Sequence, residues 1–207
     1  MLQRVAIVDY GMGNLLSVYH AFEMVGAEAE ITRDARHILD AHRVVLPGVG
    51  AFGDCMQNLN RLGLIEVLNA VRESGRPVMG ICLGMQAMAA WSDEGGRHEG
   101  LGWFDAGVVR LAPSDASLRV PHVGWNDVQW RRESPLFAGL PDHPDFYFVH
   151  SYAMVCSWPE DVDAECDYGG AFTAAVRKEN VFATQFHPEK SQDYGLQLLA
   201  NFLSWNP

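Results

Sequence analysis

The first half of the chain alternates short apolar runs with stretches of helical periodicity. Residues 4–8 read as a buried strand ending in Asp9. Leu15, Val18, Phe22 and Val25 then recur at helical spacing, with Asn14 placed to cap the helix and Gly26 to end it. Apolar runs at 29–32, 43–46 and 77–81 predict three further strands, and Pro47-Gly48 stops the second of these. A long helical stretch covers 51–73 with a break near Gly63, and another helix is predicted over 83–91. Strand–helix alternation of this kind calls for crossover units and a parallel sheet.

The second half has a different rhythm. Segments 108–111, 126–130, 146–150, 152–156, 172–176 and 181–186 read as strands joined by short turns. Ser191 is placed to cap a last helix that carries Leu196, Leu199 and Leu203 on one face. Segments 92–102 and 112–119 are loop-like but too short to separate domains. The expected architecture is a single α/β domain over residues 1–207. Its central sheet is mixed, mostly parallel and flanked by helices, with antiparallel strands added by the second half.

Composition narrows the function classes. With 207 residues, size scaling gives roughly 9,600 Å² of folded surface and about 70% of the extended chain's surface buried. A core is therefore attainable without disulfides or metals. The 15 Lys and Arg against 26 Asp and Glu leave a net charge of −11, which argues against a nucleic-acid footprint or a polybasic membrane patch. Hydrophobic residues at 48% and charged residues at 20% argue against disorder. No apolar run reaches the 18 residues or so that a membrane helix needs. The opening run at 5–8 is too short for a signal peptide and lacks a cleavage site, so a cytoplasmic protein with reduced thiols is expected. The four cysteines at 55, 82, 156 and 166 form no Cys-x-x-Cys pair, and no metal site or cofactor is expected.

One cysteine has a chemical context. Gly80-Ile81-Cys82-Leu83-Gly84 lies at a strand–helix junction and is the cysteine form of the nucleophile elbow. Flanking glycines let strand and helix approach. The Leu83 N–H would face the reacting carbon, and a helix N-terminus favours a thiolate. Read alone, the motif fits equally a buried cysteine between two glycines. A thiol nucleophile needs a base. Of the eight histidines, only His187 ends a strand run with a carboxylate in step, in Gln185-Phe186-His187-Pro188-Glu189. In an extended segment i and i+2 share a side, so Glu189 can orient the His187 ring. His122 and His150 read as buried or pocket-lining histidines. The glycine-rich segment 46–53 follows the third strand without the Lys-Ser/Thr of a phosphate loop. It lies at the same carboxyl edge as Cys82 and can supply a second oxyanion donor.

These segments together resemble class I glutamine amidotransferases. Others narrow the resemblance to the glutaminase subunits of imidazole glycerol phosphate synthases: residues 9–15 (Asp-Tyr-Gly-Met-Gly-Asn-Leu), 121–126 (Pro-His-Val-Gly-Trp-Asn), 147–152 (Tyr-Phe-Val-His-Ser-Tyr), and Lys190-Ser191. The match runs from about residue 4 to 204. It implies a Cys82–His187–Glu189 triad that hydrolyses L-glutamine to glutamate and ammonia through a γ-glutamyl thioester. It implies oxyanion donors at Leu83 and the Val49–Gly50 segment, and glutamine contacts at Gln86, Ser151 and Tyr152. It implies a heterodimer with a separate (β/α)₈ cyclase subunit, faced by Trp125, Tyr147 and Lys190, which receives the ammonia and makes imidazole glycerol phosphate and aminoimidazole carboxamide ribotide for histidine synthesis. The motifs span Asp9 to Ser191 and leave no length for that second reaction. The resemblance also implies low activity without the cyclase, and the Pro47–Gly50 loop is expected to present its donor only in the active complex. Segments 102–107 and 112–119 depart from the pattern, away from the triad. The alternatives are the glutaminase of another amidotransferase, a partner-independent cysteine hydrolase, or a relative that binds without catalysis.

Overall fold

The computed structural model describes residues 3–207. Met1 and Leu2, part of the opening segment of the chain, lie outside the described residues. The accessible surface, 9292 Å², is close to the size-scaling value of roughly 9,600 Å².

The first half forms β1 (Arg4–Val8), α1 (Leu15–Met24), β2 (Glu28–Thr32), α2 (Ala35–Asp40), β3 (Arg43–Gly48), α3 (Phe52–Arg61), α4 (Leu64–Glu73), β4 (Val78–Cys82) and α5 (Leu83–Ala87). The expected break in the long helix is real, since Gly63 adopts a left-handed φ of 65° between α3 and α4. The second half forms β5 (Ala89–Ser92), β6 (His98–Glu99), β7 (Phe104–Arg110), β8 (His122–Asp127), β9 (Gln129–Trp130), β10 (Asp145–His150), β11 (Tyr152–Cys156), β12 (Val162–Asp167), β13 (Ala171–Lys178), β14 (Val181–Thr184) and α6 (Gln192–Ser204).

The main sheet has eight strands in the order β2-β1-β3-β4-β14-β13-β12-β9. Pairings from β2 through β14 are parallel, and those from β14 outward to β9 are antiparallel. The mixed, mostly parallel sheet is therefore as expected. The other six described strands do not extend it: β10-β8 and β11-β7-β5-β6 form two smaller sheets. Alternation along β1 divides the core. Val5 and Ile7 join the apolar cluster that holds Phe22 of α1 and Leu198 and Phe202 of α6. Ala6 and Val8 join the cluster on the other face, with Ile38, Leu59 and Leu68 of α2, α3 and α4. Period-two side chains buried on both faces are what a parallel sheet covered by helices requires.

Several expectations need correction. The helix read over 83–91 stops at Ala87, and 89–92 is strand β5. The N–H groups of Leu101, Trp103 and Phe104 take the carbonyls of Ala87 and Met88, so tertiary pairing overrides a helix-prone Met-Gln-Ala-Met-Ala-Ala sequence. The run 126–130 is two strands, β8 and β9, in different sheets. Helix α2 and strand β12 were not expected. Asp34 caps α2 by accepting from the Arg36 and His37 N–H groups. The acids of β12 disguise it as a loop. Its Asp163 is fully buried and is neutralised by Arg132 and by Arg177 Nε at 2.9 Å. Asn14 and Ser191 stand at their helix N-termini without side-chain capping bonds; the Ser191 hydroxyl is used elsewhere.

Helix α6 approaches the segment after β14 through Gly195. A Cβ there would overlap the Pro188 carbonyl oxygen, which is backbone and cannot yield cheaply. On helix propensity alone, Gly195→Ala would stabilise α6 by about 1 kcal/mol. The overlap reverses the sign. The expected outcome is a loss of about 1–3 kcal/mol, measured as a lower urea midpoint at unchanged slope.

Candidate functional site

Parallel pairing sets the strand ends side by side. Gly48 at the end of β3 lies opposite Cys82 at the end of β4, and Thr184 at the end of β14 lies opposite Ile81. The Pro47–Gly50 loop, the Cys82 junction and the segment that carries His187 therefore leave the sheet at one edge. Ligands of open α/β sheets bind at that carboxyl edge.

Cys82 has φ 53° and ψ −106°. A non-glycine residue in that region costs on the order of 1–3 kcal/mol, and the surrounding packing must hold it there. Gly84 makes the packing attainable, because a Cβ at 84 would overlap the Leu46 carbonyl oxygen of β3. Cys82 is nearly buried at 6% exposure. Its Sγ lies 3.5 Å from Gln185 Nε2, which donates to it, and 4.0 Å from the Val149 carbonyl oxygen.

The His187 segment is built by a turn rather than by strand alternation. β14 ends at Thr184, His187 is extended (φ −101°, ψ 95°), and Pro188–Lys190 is a 3₁₀ turn. That turn, not an i to i+2 strand relation, brings Glu189 Oε1 to 2.7 Å from His187 Nδ1. Ser191 Oγ donates to the His187 carbonyl at 2.6 Å and accepts from Tyr147 N at 3.0 Å, while His187 N donates to the Tyr147 carbonyl at 2.9 Å. The hydroxyl expected to cap α6 instead ties the His187 backbone to β10. Both members of the His187–Glu189 pair are buried, and His187 Nε2 has no hydrogen-bond partner among the described residues. Burial depresses the His187 pKa, but the adjacent Cys82 and Glu189 more than offset this and push it up to about 9.

A cavity of about 410 Å³ opens over Cys82. Val49, Gly50, Leu83, Gln86, Ser151 and Tyr152 line it together with Cys82, so the structure gathers all of the proposed oxyanion and glutamine contacts in one place. Gly50 takes φ 108°, a conformation that favours glycine. Gln86 Nε2 is committed to the Tyr152 carbonyl at 2.9 Å and Gln185 Oε1 at 3.0 Å, which leaves its own carbonyl oxygen to offer a ligand.

Two residues of the site escaped the sequence reading. Glu94 lines the cavity, and its Oε2 accepts from Phe52 N at 2.8 Å, so it caps α3 from a distant loop just beyond Val49–Gly50. Nothing local in segment 92–102 signals that role. Gln185 is fully buried against the thiol. Its one signal was its position two residues before His187.

His150 lines the cavity and His122 stands behind it, with His122 Nδ1 3.1 Å from His150 Nε2 and His150 Nδ1 2.8 Å from the Tyr152 carbonyl. Burial lowers both to about 4, so both are neutral at pH 7. Cys55 and Cys166 are buried and Cys156 partly so, all as free thiols. Burial pushes Cys55 and Cys156 up to about 12. No group of three or more His, Cys, Asp or Glu among the described residues could hold a metal ion. No helix among them is long and apolar enough to cross a membrane.

Trp125, Tyr147 and Lys190 come together beside the cavity. Trp125 of β8 is the cross-strand partner of Tyr147 of β10, with ring centroids 6.0 Å apart. Lys190 Nζ sits 5.7 Å over the Tyr147 ring and also lines the cavity. Trp125 is 47% exposed and its neighbour Val123 55% exposed, so this patch is apolar and open.

The geometry can be set beside known proteins. The family profile for glutamine amidotransferase class-I matches residues 6–205. Imidazole glycerol phosphate synthase subunit HisH 2 of Nitrobacter winogradskyi is 47% identical over 212 residues, covering 100% of both chains. The HisH subunit of Syntrophotalea carbinolica is 50% identical over 206 residues, covering 96% of this chain and 98% of its own. Among solved structures, PurLQS from Thermotoga maritima superposes with a TM-score of 0.74 at 18% identity, covering 99% of this chain and 99% of that one, a likeness of fold. Relatives about half identical over nearly the full length place the chain in the class-I glutamine amidotransferase family, among the HisH subunits of imidazole glycerol phosphate synthase.

Proposed function

We propose that the chain hydrolyses L-glutamine and hands the ammonia to a separate (β/α)₈ cyclase subunit, in the cytoplasm, for the synthesis of imidazole glycerol phosphate and aminoimidazole carboxamide ribotide. The observation that carries this reading is the juxtaposition of a strained cysteine and a buried His187–Glu189 pair at one edge of the sheet, beside a cavity of amino-acid size.

Cys82 Sγ, having passed its proton to His187 Nε2, attacks the side-chain amide carbon. The amide oxygen becomes an oxyanion, held by the Leu83 N–H and an N–H of the Val49–Gly50 segment. His187 Nε2 protonates the departing nitrogen, ammonia leaves, and a γ-glutamyl thioester remains. Water, deprotonated by the same nitrogen, then releases glutamate and restores the starting Cys82–His187 pair, with the proton on His187. Glu189 fixes the ring through Nδ1 and favours its charged form. At the substrate's other end, Glu94 and the Gln86 carbonyl oxygen suit the α-ammonium group, and the backbone at Ser151 and Tyr152 suits the α-carboxylate. The open patch of Val123, Trp125 and Tyr147, with Lys190 at its rim, is continuous with the cavity and suits the cyclase. Aromatic side chains beside a basic residue are what interface cores favour.

With the cyclase present, glutamate release is expected to be fast, and Cys82→Ala is expected to lower it by about 10³-fold or more. The isolated chain is expected to be slow, because the Pro47–Gly50 loop offers its donor only in the complex. A glutaminase assay with and without the partner checks both. Unchanged turnover in Cys82→Ala would sink the mechanism, and equal rates with and without the partner would sink the loop's role and favour a partner-independent hydrolase.

The pH profile gives a second check. The mechanism needs His187 charged, so kcat/KM should fall as pH rises through about 9. Glu189 is one of the groups that raise this value. Glu189→Gln removes that contribution, so the basic limb should move to lower pH while kcat drops by about 10²-fold or more. A basic limb that stayed in place would contradict the assignment.

A further inference from the structure

Gln185 is fully buried and engages the thiol, yet the mechanism above assigns it nothing. Its orientation follows from a chain of contacts that starts at a carbonyl. Tyr152 O can only accept, so Gln86 must present its Nε2 there, at 2.9 Å. The same Nε2 lies 3.0 Å from Gln185, which must therefore present its oxygen to it. That leaves Gln185 with its own Nε2 directed at Cys82 Sγ, 3.5 Å away. No alternative flip of either amide satisfies all three contacts. The Gln185 backbone is pinned as well, with its N–H donating to the Ala174 carbonyl of β13 at 2.8 Å.

We infer that Gln185 is a positioning residue for the Cys82 nucleophile, its oriented amide N–H holding the sulfur on the cavity side and stabilising it as the thiolate. An N–H donor aimed at sulfur interacts more strongly with the anion than with the neutral thiol. The contact on the other side works the opposite way, since the Val149 carbonyl, at 4.0 Å, can only accept from a protonated sulfur. The charged and titratable groups around the thiol are His187 and, behind it, Glu189, the buried Tyr10, whose pKa Cys82 helps to raise, and Glu94, His150 and Lys190, which line the same cavity. Gln185 adds a neutral amide N–H donor that does not titrate, so its contribution persists across the working pH range. Gln86 lines the cavity and fixes the Gln185 amide, so the same two-amide relay joins the substrate-binding wall to the nucleophile. This inference rests on Cys82 being the nucleophile.

The test is the pH dependence of Cys82 alkylation by iodoacetamide in the full chain, quantified on the Cys82 peptide by mass spectrometry, for wild type, Gln185→Leu and Gln185→Glu. Leu removes donor and acceptor. Glu keeps the shape and the acceptor for Gln86 but replaces the donor with a carboxylate. In either folded variant the alkylation midpoint should rise by about one pH unit or more, which is about a tenfold slower reaction at neutral pH. With the cyclase present, kcat should fall by a similar factor while the KM for glutamine stays within about twofold in Gln185→Glu. An unmoved midpoint in a folded variant overturns the inference, even if activity is lost, because a merely structural role would not move the titration. A glutamine-like chloroketone separates the two readings. If it fails to label Cys82 in the wild type, the nucleophile assignment is wrong; if it labels Cys82 and the midpoint stays fixed, only the role of Gln185 is wrong.

Discussion

Val181 of β14 lies opposite Val78 of β4, and Thr184 lies opposite Ile81. This parallel pairing joins parts of the chain separated by all of the small-sheet strands. Without it, Cys82 and His187 have no reason to meet. The register also matters: a slip of one residue would turn every side chain of β14 to the opposite face. The segment beyond Thr184 would then leave the sheet with Gln185 and His187 displaced from the thiol. The fully buried Phe182 and Ala183, packed in the clusters on opposite faces of the sheet, hold that register.

The strain at Cys82 is held by its surroundings. The elbow is fixed between β3, whose Leu46 carbonyl abuts Gly84, and the buried Gln86 of α5, whose amide reaches the Tyr152 carbonyl of β11 and the side chain of Gln185. The 3₁₀ turn at Pro188–Lys190 is fixed in the same manner. Ser191 and Tyr147 hold its start, and α6 closes on it through Gly195. The proposed nucleophile and base, which must stay within reach of each other, thus sit on rigid scaffold ends. The Val49–Gly50 segment lies between Gly48, which ends β3, and α3, whose first N–H the Glu94 carboxylate caps. Val49 is 39% exposed against 2% for Leu83, so this segment is the less enclosed of the two proposed oxyanion donors.

The small β8–β10 sheet gives a physical route from the outer surface to the cavity. Trp125 and Tyr147 stand exposed or half-exposed on one side of it. On the other side Phe148 is buried and His150 reaches the cavity wall, with His122 beside it. A body docked on the aromatic side would therefore lie against β8 and β10, and Val149 and His150 of β10 line the cavity. Lys190, one residue past Glu189, contacts both regions.

By itself, the sequence determined the class of architecture and singled out the candidate chemistry-bearing residues. Strand–helix alternation identified the parallel sheet, and the Gly-x-Cys-x-Gly and His-Pro-Glu segments stood out locally. Local pattern also located the break at Gly63, because left-handed backbone is a property of the residue itself. It could not decide what depends on distant partners. Ala89–Ser92 is helix-prone yet becomes β5, because segment 101–104 takes the preceding carbonyls. Asp163 makes β12 look like a loop until Arg132, from the bend after β9, and Arg177 of β13 arrive to neutralise it. Glu189 reaches His187 through a 3₁₀ turn that Ser191, β10 and α6 shape together, where the strand pattern alone called for alternation. Gln185 and Glu94 belong to the site only because the strand ends converge on it. Periodicity reports which face of an element is apolar; which elements meet, and which polar groups they satisfy, is settled when the sheet closes.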